Sequence, residues 1–242
     1  MDSCARLDRI SPTRRPTIAP AGTQGWKQLL FVHWALPVEA VRALVPRELE
    51  LDPWDGKAWV GLVPFQMRRI RTSWMPGVLA MDFLELNART YVHKDGVPGV
   101  WFFSLEASAW LAVQAARAMW SLPYHHARMS DSRVGERVTY RSERRADPRA
   151  RFEAEYEIGE LLGPSAPDTF EHFLLERYVL FAKRGERILE GRVHHVPYPA
   201  HRATVHRLEE GLIGAAGLPS PGRPPDVAHY SPGVDVEVFG PM

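Results

Sequence analysis

The 242-residue chain is poor in two chemically useful residue types. Its single cysteine, Cys4, excludes an internal disulfide framework and any cysteine-based metal cluster. Lysine occurs only at Lys27, Lys57, Lys94 and Lys183, so nearly all of the positive charge is arginine. The formal net charge is +1, and a value so close to zero does not favour nucleic acid or an anionic membrane as the main partner.

Long apolar runs are also missing. No window approaches the ~18 apolar residues that a membrane-spanning helix requires, and the N-terminus lacks the apolar stretch of a secretory signal. Asp2 and Asp8 disfavour an organelle transit peptide. The sequence therefore predicts a cytoplasmic protein with no membrane partner, in which a flexible tail over residues 1–24 precedes one domain over residues 25–242.

Hydrophobic residues make up 45% of the chain, which is enough for a sizeable core and excludes wholesale disorder. The 21 prolines disfavour a helical bundle. Runs typical of strands outnumber the segments in which we predict helices, namely residues 38–45, 108–120, 170–177 and 203–216. The order predicts one α+β domain built on a curved sheet or barrel.

The sharpest local pattern is Glu85-x-Asn87-x-Arg89, within a strand predicted over residues 82–92. Alternation places the three polar side chains on one face, with apolar residues on the other. If the polar face meets solvent, the strand is an ordinary amphipathic one. If it points into an interior, the charges must be paired or must meet a ligand. The pattern alone leaves both possibilities open.

Glu106 is the second candidate, because it follows the strongly apolar strand Val100-Trp101-Phe102-Phe103. A carboxyl group among aromatic side chains has a raised pKa and suits acid or base catalysis. The alternative is a glutamate that stabilises the N-terminus of the following helix.

Other chemical motifs are absent or weak. The chain has no GxSxG, P-loop or GxGxxG motif. His125-His126 and His194-His195 lack the spacing of zinc sites, and adjacent histidines on a strand point to opposite faces. We therefore expect no metal and no cofactor, although a histidine-bound metal enzyme stays a weaker alternative. The charged run over residues 133–160 is typical of a solvated hairpin rather than a nucleic-acid site.

Several stretches together resemble the bacterial YqjF-like family of unknown function. They are FVHWALPVEAVRALVPRELELDPWDGKAWVGLVPFQMRRIR, FLELNARTYV, GVWFFSLEASAWLAVQAARAMWSLPYHHARM, FEHFLLERYVLF, GRVHHVPYP and HYSPGVDVEVF. The resemblance runs from about Trp26 to Phe239 and keeps the motifs in order. It implies the fold of the acetoacetate-decarboxylase-like superfamily, a cone-shaped β-barrel with flanking helices and a small pocket.

The decarboxylases of that superfamily use a lysine that forms a Schiff base, close after a glutamate similar to Glu106. Here the corresponding segment EASAWLAVQAARAMW contains no lysine, and an arginine cannot replace a neutral amine. The resemblance therefore implies a pocket without the decarboxylase nucleophile. We predict that it binds a small carbonyl or carboxylate compound, such as an organic acid, and that any catalysis is acid–base.

The candidate residues follow from these patterns and from the resemblance. The catalytic candidates are Glu85 and Glu106, and the substrate-binding candidates are Asn87, Arg89, Trp101, Phe103 and Trp110. An arginine beside an amide suits a carboxylate ligand, and the aromatic side chains would form an apolar wall. The alternative is a non-catalytic barrel module that acts through protein–protein contacts. The chain is a candidate homo-oligomer in either case.

Overall fold

The computed structural model describes residues 7–240, without the side chains of residues 115 and 116. Strands dominate this part of the chain, and all of them belong to one hydrogen-bonded sheet. The strands are β1 Gly22–Leu36, β2 Glu50–Leu51, β3 Ala58–Thr72, β4 Met81–Lys94, β5 Val97–Ala107, β6 Tyr124–Val134, β7 Arg137–Arg144, β8 Arg151–Gly163, β9 Val179–Arg184, β10 Arg187–His194, β11 Ala200–Glu210 and β12 Val227–Phe239.

The α-helices of the described residues are short. They are α1 Val38–Arg42, α2 Trp110–Trp120, α3 Phe170–Leu175 and α4 Leu212–Ala215, and two 3-10 turns lie at Ser11–Thr13 and Gly77–Leu79. The longest helix, α2, has 11 residues. The expected α+β class therefore gives the helices too much weight, and the fold is mostly β. None of these helices is long and apolar enough to cross a membrane.

The helix predicted over residues 203–216 is wrong. Most of that segment is β11, which pairs with β8 and β12, and only the four residues of α4 are helical. Pairing with β8 from Ala203 to Glu210 overrides the local helical spacing of its apolar residues. The helix predicted over residues 170–177 forms as α3, where the Thr169 hydroxyl accepts a hydrogen bond from His172 N at 3.2 Å. This contact is an ordinary N-cap.

Ser108, a residue type that commonly caps helices, does not cap α2. Its hydroxyl accepts a hydrogen bond from Leu84 N at 3.0 Å, and its own N–H donates to Leu84 O. Ser108 thus extends the pairing of β4 and β5 by one residue, and α2 begins at Trp110 without a side-chain cap. Asp55-Gly56, a typical hairpin-turn sequence, forms the turn between the bridged residues Trp54 and Lys57, but β2 pairs with β4 rather than with β3.

Two large apolar clusters lie on opposite sides of one wall of the sheet. The wall consists of β1, β3, β4 and β5, whose residues alternate between the two clusters. The large cluster includes Leu30, Leu62, Leu86, Tyr140, Phe152 and Tyr156. The second cluster includes Phe31, Phe65, Tyr91, Phe173, Tyr178 and Tyr198. Because both faces of the wall are covered, β3 is buried at every position from Ala58 to Met67.

The two clusters arise because the sheet divides at β5 and β12. β5 pairs with β4 along one edge, while its other edge is shared in parallel pairing by β9 and β6. β12 pairs with β1 along one edge and with β10 and β11 along the other. Beyond β5 and β12 the sheet continues through β9 and β10 on one side of the wall and through β6, β7, β8 and β11 on the other, so both sides are covered. Helix α3 adds Phe173, Leu174 and Leu175 to the second cluster.

The N-terminal segment contacts the sheet where it is described. β1 begins at Gly22, three positions before the predicted start of the domain. Arg15 lies on Glu237 with its Nη2 at 2.9 Å from the carboxylate, and Arg9 forms an ion pair with Asp52. The first six residues of the expected tail, Cys4 among them, lie outside the described residues. The division into a tail and a single domain stays a prediction.

Candidate functional site

The polar face of β4 is buried. Glu85 is 3% exposed, Asn87 6% and Arg89 8%. The opposite face is buried as well, since Leu86 and Ala88 belong to the large cluster. The alternative in which the three polar residues face solvent is therefore wrong. Strand alternation predicted correctly that they share one face, and the structure places that face toward the second cluster.

Glu85 lies where the second cluster meets a smaller group of apolar residues around Tyr124 and Ala107. The Tyr124 hydroxyl donates a hydrogen bond to Glu85 Oε2 at 2.8 Å. The pKa of Glu85 is raised to about 8, chiefly by burial; the Tyr124 hydrogen bond opposes this shift and the charge of Glu106 adds to it. Glu85 is therefore mostly protonated at neutral pH, and this is the state of a carboxyl group that serves as an acid.

Arg89 is a buried cation without a counterion among residues 7–240. Its Nη2 donates to Leu174 O at 3.0 Å, and its guanidinium carbon lies 5.6 Å from the Phe31 ring centroid and 5.7 Å from that of Tyr91. No carboxylate of the described chain is within ion-pair distance of Arg89, and its Nε has no hydrogen-bond partner there. The Oδ1 atom of Asn87, on the same face of β4, also has no hydrogen-bond partner among the described residues.

A hydrogen-bond network holds Arg89 in place. The Tyr91 hydroxyl donates to Leu174 O at 2.7 Å, the same carbonyl that accepts from Arg89. The hydroxyl has one proton, so the His33 Nε2 atom at 2.7 Å must donate to the Tyr91 oxygen. Burial lowers the pKa of His33 well below its usual value, and the Arg89 charge adds to that shift. A Cβ atom on Gly61 would lie 2.8 Å from the His33 ring, so only glycine fits there.

Glu106 does not join the polar face of β4. It pairs across the hairpin with Leu86, while Glu85 pairs with Ala107. Side chains of directly paired residues share a face, so Glu85 and Glu106 leave opposite faces of the sheet. The expectation that both carboxylates lie near Arg89 is therefore wrong, because the observed strand pairing puts the side chains of Glu85 and Glu106 on opposite faces.

On its own side of the sheet, Glu106 has a dedicated partner. Its Oε1 accepts hydrogen bonds from Arg144 Nη2 at 2.5 Å and Nε at 3.1 Å, and Ser104 donates to its Oε2 at 3.2 Å. Burial raises the pKa of Glu106, and Arg144 opposes the shift by stabilising the carboxylate. The predicted upward shift therefore has the expected cause, but the two side chains form a buried ion pair that satisfies the charges of both.

The aromatic candidates also separate from the polar ones. A one-residue bulge at Phe103 interrupts the pairing of β5 with β4, and Trp101 and Phe103 line a cavity of about 280 Å³. The residues that line this cavity include Lys183 and Phe181 but none of the four polar candidates. Trp110 is 55% exposed at the start of α2. The structure thus brings together Glu85, Asn87 and Arg89, and places the other four elsewhere.

None of the four lysines lies beside this polar face. Lys27 binds Asp235 at 2.9 Å, Lys183 binds Glu48 at 2.9 Å, Lys94 lies against Asp95, and Lys57 is exposed in its turn. No three His, Cys, Asp or Glu side chains within residues 7–240 are arranged to hold a metal ion.

Tyr124 and Arg144 are the functional candidates that sequence reasoning missed. Tyr124 follows Pro123 at the start of β6, in a stretch with no strand signal before it. Arg144 lies at the end of β7, where Val138, Tyr140 and Ser142 share its buried face. The period-2 pattern of β7 was visible in the sequence, but the surrounding charges led to the prediction of a solvated hairpin. That prediction holds for Arg141 and Arg137 and is wrong for Arg144.

The fold is similar to those of several solved structures. The chain is similar to the structure of the enduracididine biosynthesis enzyme MppR complexed with pyruvate, with a TM-score of 0.62, 14% identity, and coverage of 94% of this chain and 91% of that one. An acetoacetate decarboxylase gives a TM-score of 0.62 at 13% identity over 95% and 89% of the two chains. The enzyme of Legionella pneumophila gives 0.57 at 11% over 93% and 92%. The fold is therefore acetoacetate-decarboxylase-like.

The family is narrower than the fold. The model of the DUF2071 family, described as an uncharacterized conserved protein, matches residues 23–235. The uncharacterized protein YqjF of Bacillus subtilis strain 168 is 36% identical over 220 residues, which are 90% of each chain. The chain belongs to this family, and the predicted resemblance to YqjF-like proteins is confirmed.

The buried Glu85 predicts a specific dependence of stability on pH. Its folded pKa of about 8 lies above the ordinary value of 4.5, so between these values the unfolded chain loses a proton that the folded chain keeps. The free energy of unfolding therefore falls as the pH rises through this window, by at most about 1.4 kcal/mol per pH unit. In Glu85→Gln this loss should be absent, so the variant should gain stability relative to wild type from pH 5 to pH 8.

Urea unfolding at pH 5, 6, 7 and 8 measures the difference. Glu186→Gln, at an exposed position of the β9–β10 turn, is the matched control and should follow the wild-type profile. A constant difference between Glu85→Gln and wild type across this range would contradict the raised pKa.

Proposed function

We propose that the protein binds a small carbonyl or carboxylate compound against the polar face of β4, with Arg89 as the anion-binding group. One observation carries this proposal. Arg89 is a buried guanidinium with no carboxylate partner among the described residues. Burying an unpaired charge costs several kcal/mol, and a ligand carboxylate would remove that cost.

The other two arginines with a comparable degree of burial support this argument by contrast. Arg144 binds Glu106, and Arg177 binds Asp52 at 2.9 Å. Each contacts a carboxylate, as buried cations generally do, although Arg177 shares Asp52 with Arg9. Arg89 has instead a backbone carbonyl and two aromatic rings, and one free Nε donor. A planar guanidinium with a free edge is suited to a carboxylate.

Glu85 and Asn87 complete the proposed site. At neutral pH the Glu85 carboxyl is mostly protonated and can donate a hydrogen bond to a ligand oxygen. Asn87 Oδ1, which has no partner in residues 7–240, can accept one. We assign to Glu85 the role of general acid and base, because it can give a proton to a carbonyl oxygen and take one back. Tyr124 orients its carboxyl group. We do not assign this role to Glu106, because Arg144 occupies its carboxylate.

The proposal includes the barrel that the resemblance implies. Pairings run from β5 through β6, β7, β8, β11, β12, β1, β3 and β4 and return to β5. A second circuit runs from β5 through β9, β10, β12, β1, β3 and β4. Both circuits contain the wall that carries Glu85, Asn87 and Arg89, and the face of these residues belongs to the smaller circuit, whose interior holds the second cluster.

The likeness to other structures supports the ligand class without establishing it. The structure of MppR is complexed with pyruvate, which carries one carboxylate and one carbonyl group. At 14% identity the likeness shows only the fold. The reason to propose a carboxylate ligand for this chain is therefore the unpaired Arg89.

Replacement of Arg89 by methionine should weaken the binding of small carboxylates by about 10- to 100-fold, the range expected for a lost hydrogen bond to a charged group. Methionine fills much of the same volume, so the fold should be retained. A thermal-shift screen of organic acids identifies the ligand, and isothermal titration calorimetry measures its Kd. Arg187→Met, at an exposed turn position, is the matched control. An unchanged Kd in Arg89→Met would remove this residue from the site.

A Schiff base should not form. All four lysines lie outside the proposed site, and three of them are engaged with carboxylates. Incubation with acetoacetate and borohydride should therefore leave the mass of the protein unchanged, because no buried neutral amine is available. A covalent adduct on any lysine, located by peptide mass spectrometry, would show that the reaction uses an amine after all.

A non-catalytic module is the second candidate, and one observation favours it. Large apolar side chains are exposed in two segments, the loop over residues 73–80 and helix α2. They are Trp74, Val78, Leu79, Trp110, Leu111 and Met119. The two segments adjoin β4 and β5 at the same end, where Ser108 bonds Leu84. Exposed apolar groups in such proximity are typical of protein contacts.

Self-association tests the second candidate. If this surface joins two copies, sedimentation should show a dimer that Trp110→Glu shifts toward monomer. If wild type and variant are monomers at all concentrations, the surface does not join copies of this chain.

A further inference from the structure

His195 packs against aromatic residues of the second cluster. It follows β10 directly and is 3% exposed. Its ring lies 4.5 Å from the Tyr178 ring, nearly parallel to it, and 4.7 Å from the Tyr198 ring. The Trp26 ring is 5.7 Å away. An imidazole enclosed in this way by three aromatic rings has a fixed position and orientation.

The protonation state of His195 follows from its hydrogen bond. Its Nδ1 atom lies 2.7 Å from Val196 O. A carbonyl oxygen only accepts hydrogen bonds, so Nδ1 carries the proton. Burial lowers the pKa of His195 to about 4, so the ring is neutral at physiological pH. The Nε2 atom is then a bare acceptor, and among the described residues it is buried without any hydrogen-bond partner.

Two series of aromatic side-chain contacts connect His195 with the polar face of β4. Tyr198 lies 5.3 Å from Phe31, and the Arg89 guanidinium lies over that same Phe31 ring. On the other side, Trp26 lies 6.0 Å from Phe65, which pairs directly with Glu85. These rings belong to the second cluster or pack against it. His195 and the β4 residues thus contact the same group of aromatic rings.

We propose that His195 Nε2 accepts a hydrogen bond from a hydroxyl group of the ligand whose carboxylate Arg89 holds. This inference rests on the proposed function and narrows it. The ligand class is a hydroxy acid, or an oxo acid in its enol form, with an apolar segment between the two polar ends. The aromatic rings enclose the apolar segment, Arg89 selects the carboxylate, and His195 selects the hydroxyl group.

We assign His195 a role in ligand selection because an unpaired buried acceptor such as its Nε2 atom is costly. A buried polar atom without a partner costs about 1–3 kcal/mol, and a phenylalanine would stack equally well between Tyr178 and Tyr198 without that cost. A site with a buried acceptor discriminates strongly against ligands that cannot donate to it. In this chain the hydrogen bond from Nδ1 to the Val196 carbonyl fixes the His195 ring. The Nε2 acceptor points away from that carbonyl.

Matched pairs of ligands test the inference. The probes are unbranched monocarboxylic acids with four to eight carbons and the corresponding acids with a terminal hydroxyl group. For at least one chain length, the hydroxy acid should bind wild-type protein about 3- to 10-fold more tightly than its parent acid, as expected for one additional net hydrogen bond. Calorimetry gives the Kd of each member.

Two variants assign the preference to a residue. His195→Phe keeps the ring stacking and removes the acceptor, so it should bind the parent acids as wild type does and lose the preference for the hydroxy acids. His206→Phe, at an exposed position on β11, is the control and should keep it. If His195→Phe does not fold, the ¹⁵N resonances of His195 in wild type decide. The Nε2 signal should then shift with the hydroxy acid and not with its parent.

The outcomes separate the two proposals. Binding of the parent acids without any hydroxyl preference at any length would overturn the role of His195 and leave Arg89 as the anion site. A hydroxyl preference that persists in His195→Phe, or that occurs without a shift of the Nε2 signal, would also overturn it. Failure of every acid to bind wild type would overturn the proposed function, and the inference with it.

Discussion

The burial of β4 on both faces is the constraint on which the rest of the structure depends. A strand in an ordinary two-layer protein has one face for water, and polar residues there need no explanation. β4 has the large cluster on one side and the second cluster on the other. Every polar side chain in its buried part, residues 85–92, must therefore find a partner in a medium where an unpaired group is costly. Glu85, Asn87 and Arg89 are three such groups in alternate positions of one strand.

The partners of the buried charges show where a ligand is needed. Asp52 and Glu106 each compensate an arginine, and Glu176 accepts hydrogen bonds from Tyr178 and from Tyr198 N. In the described residues Arg89 has no equivalent, although the Leu174 carbonyl and the Tyr91 network hold it firmly. A fixed cation that lacks an anion is a preorganised binding group, because the cost of its orientation is met in the folding of the protein.

Local signals in the sequence predicted several parts of this arrangement. The helical pattern of residues 170–177 predicted α3, and the alternation of residues 82–92 predicted which side chains of β4 share a face. These features depend on neighbours within a few residues. The strand β11 was mistaken for a helix because its partners, β8 and β12, are distant in the sequence.

The contacts of the site could not be predicted from local sequence, because they also join residues that are distant in the sequence. Glu85 meets Tyr124, Glu106 meets Arg144, and the ring of His195 packs on Trp26. Each pair joins residues dozens of positions apart. Glu85 and Glu106 were expected in one pocket from the sequence pattern and the family resemblance, yet a shift of a single residue in strand register moves a side chain to the other face. The register is decided by the whole β4–β5 ladder and not by either strand alone.

By itself, the sequence determined the chemistry that is available: one cysteine, four lysines and an arginine beside an amide and a carboxyl group on one strand face. It also determined the family, through motifs that span most of the chain. The tertiary structure decided which of these groups are buried, which are paired and which remain unpaired. Those properties depend on desolvation, and a side chain loses its water only when residues from distant parts of the chain close around it.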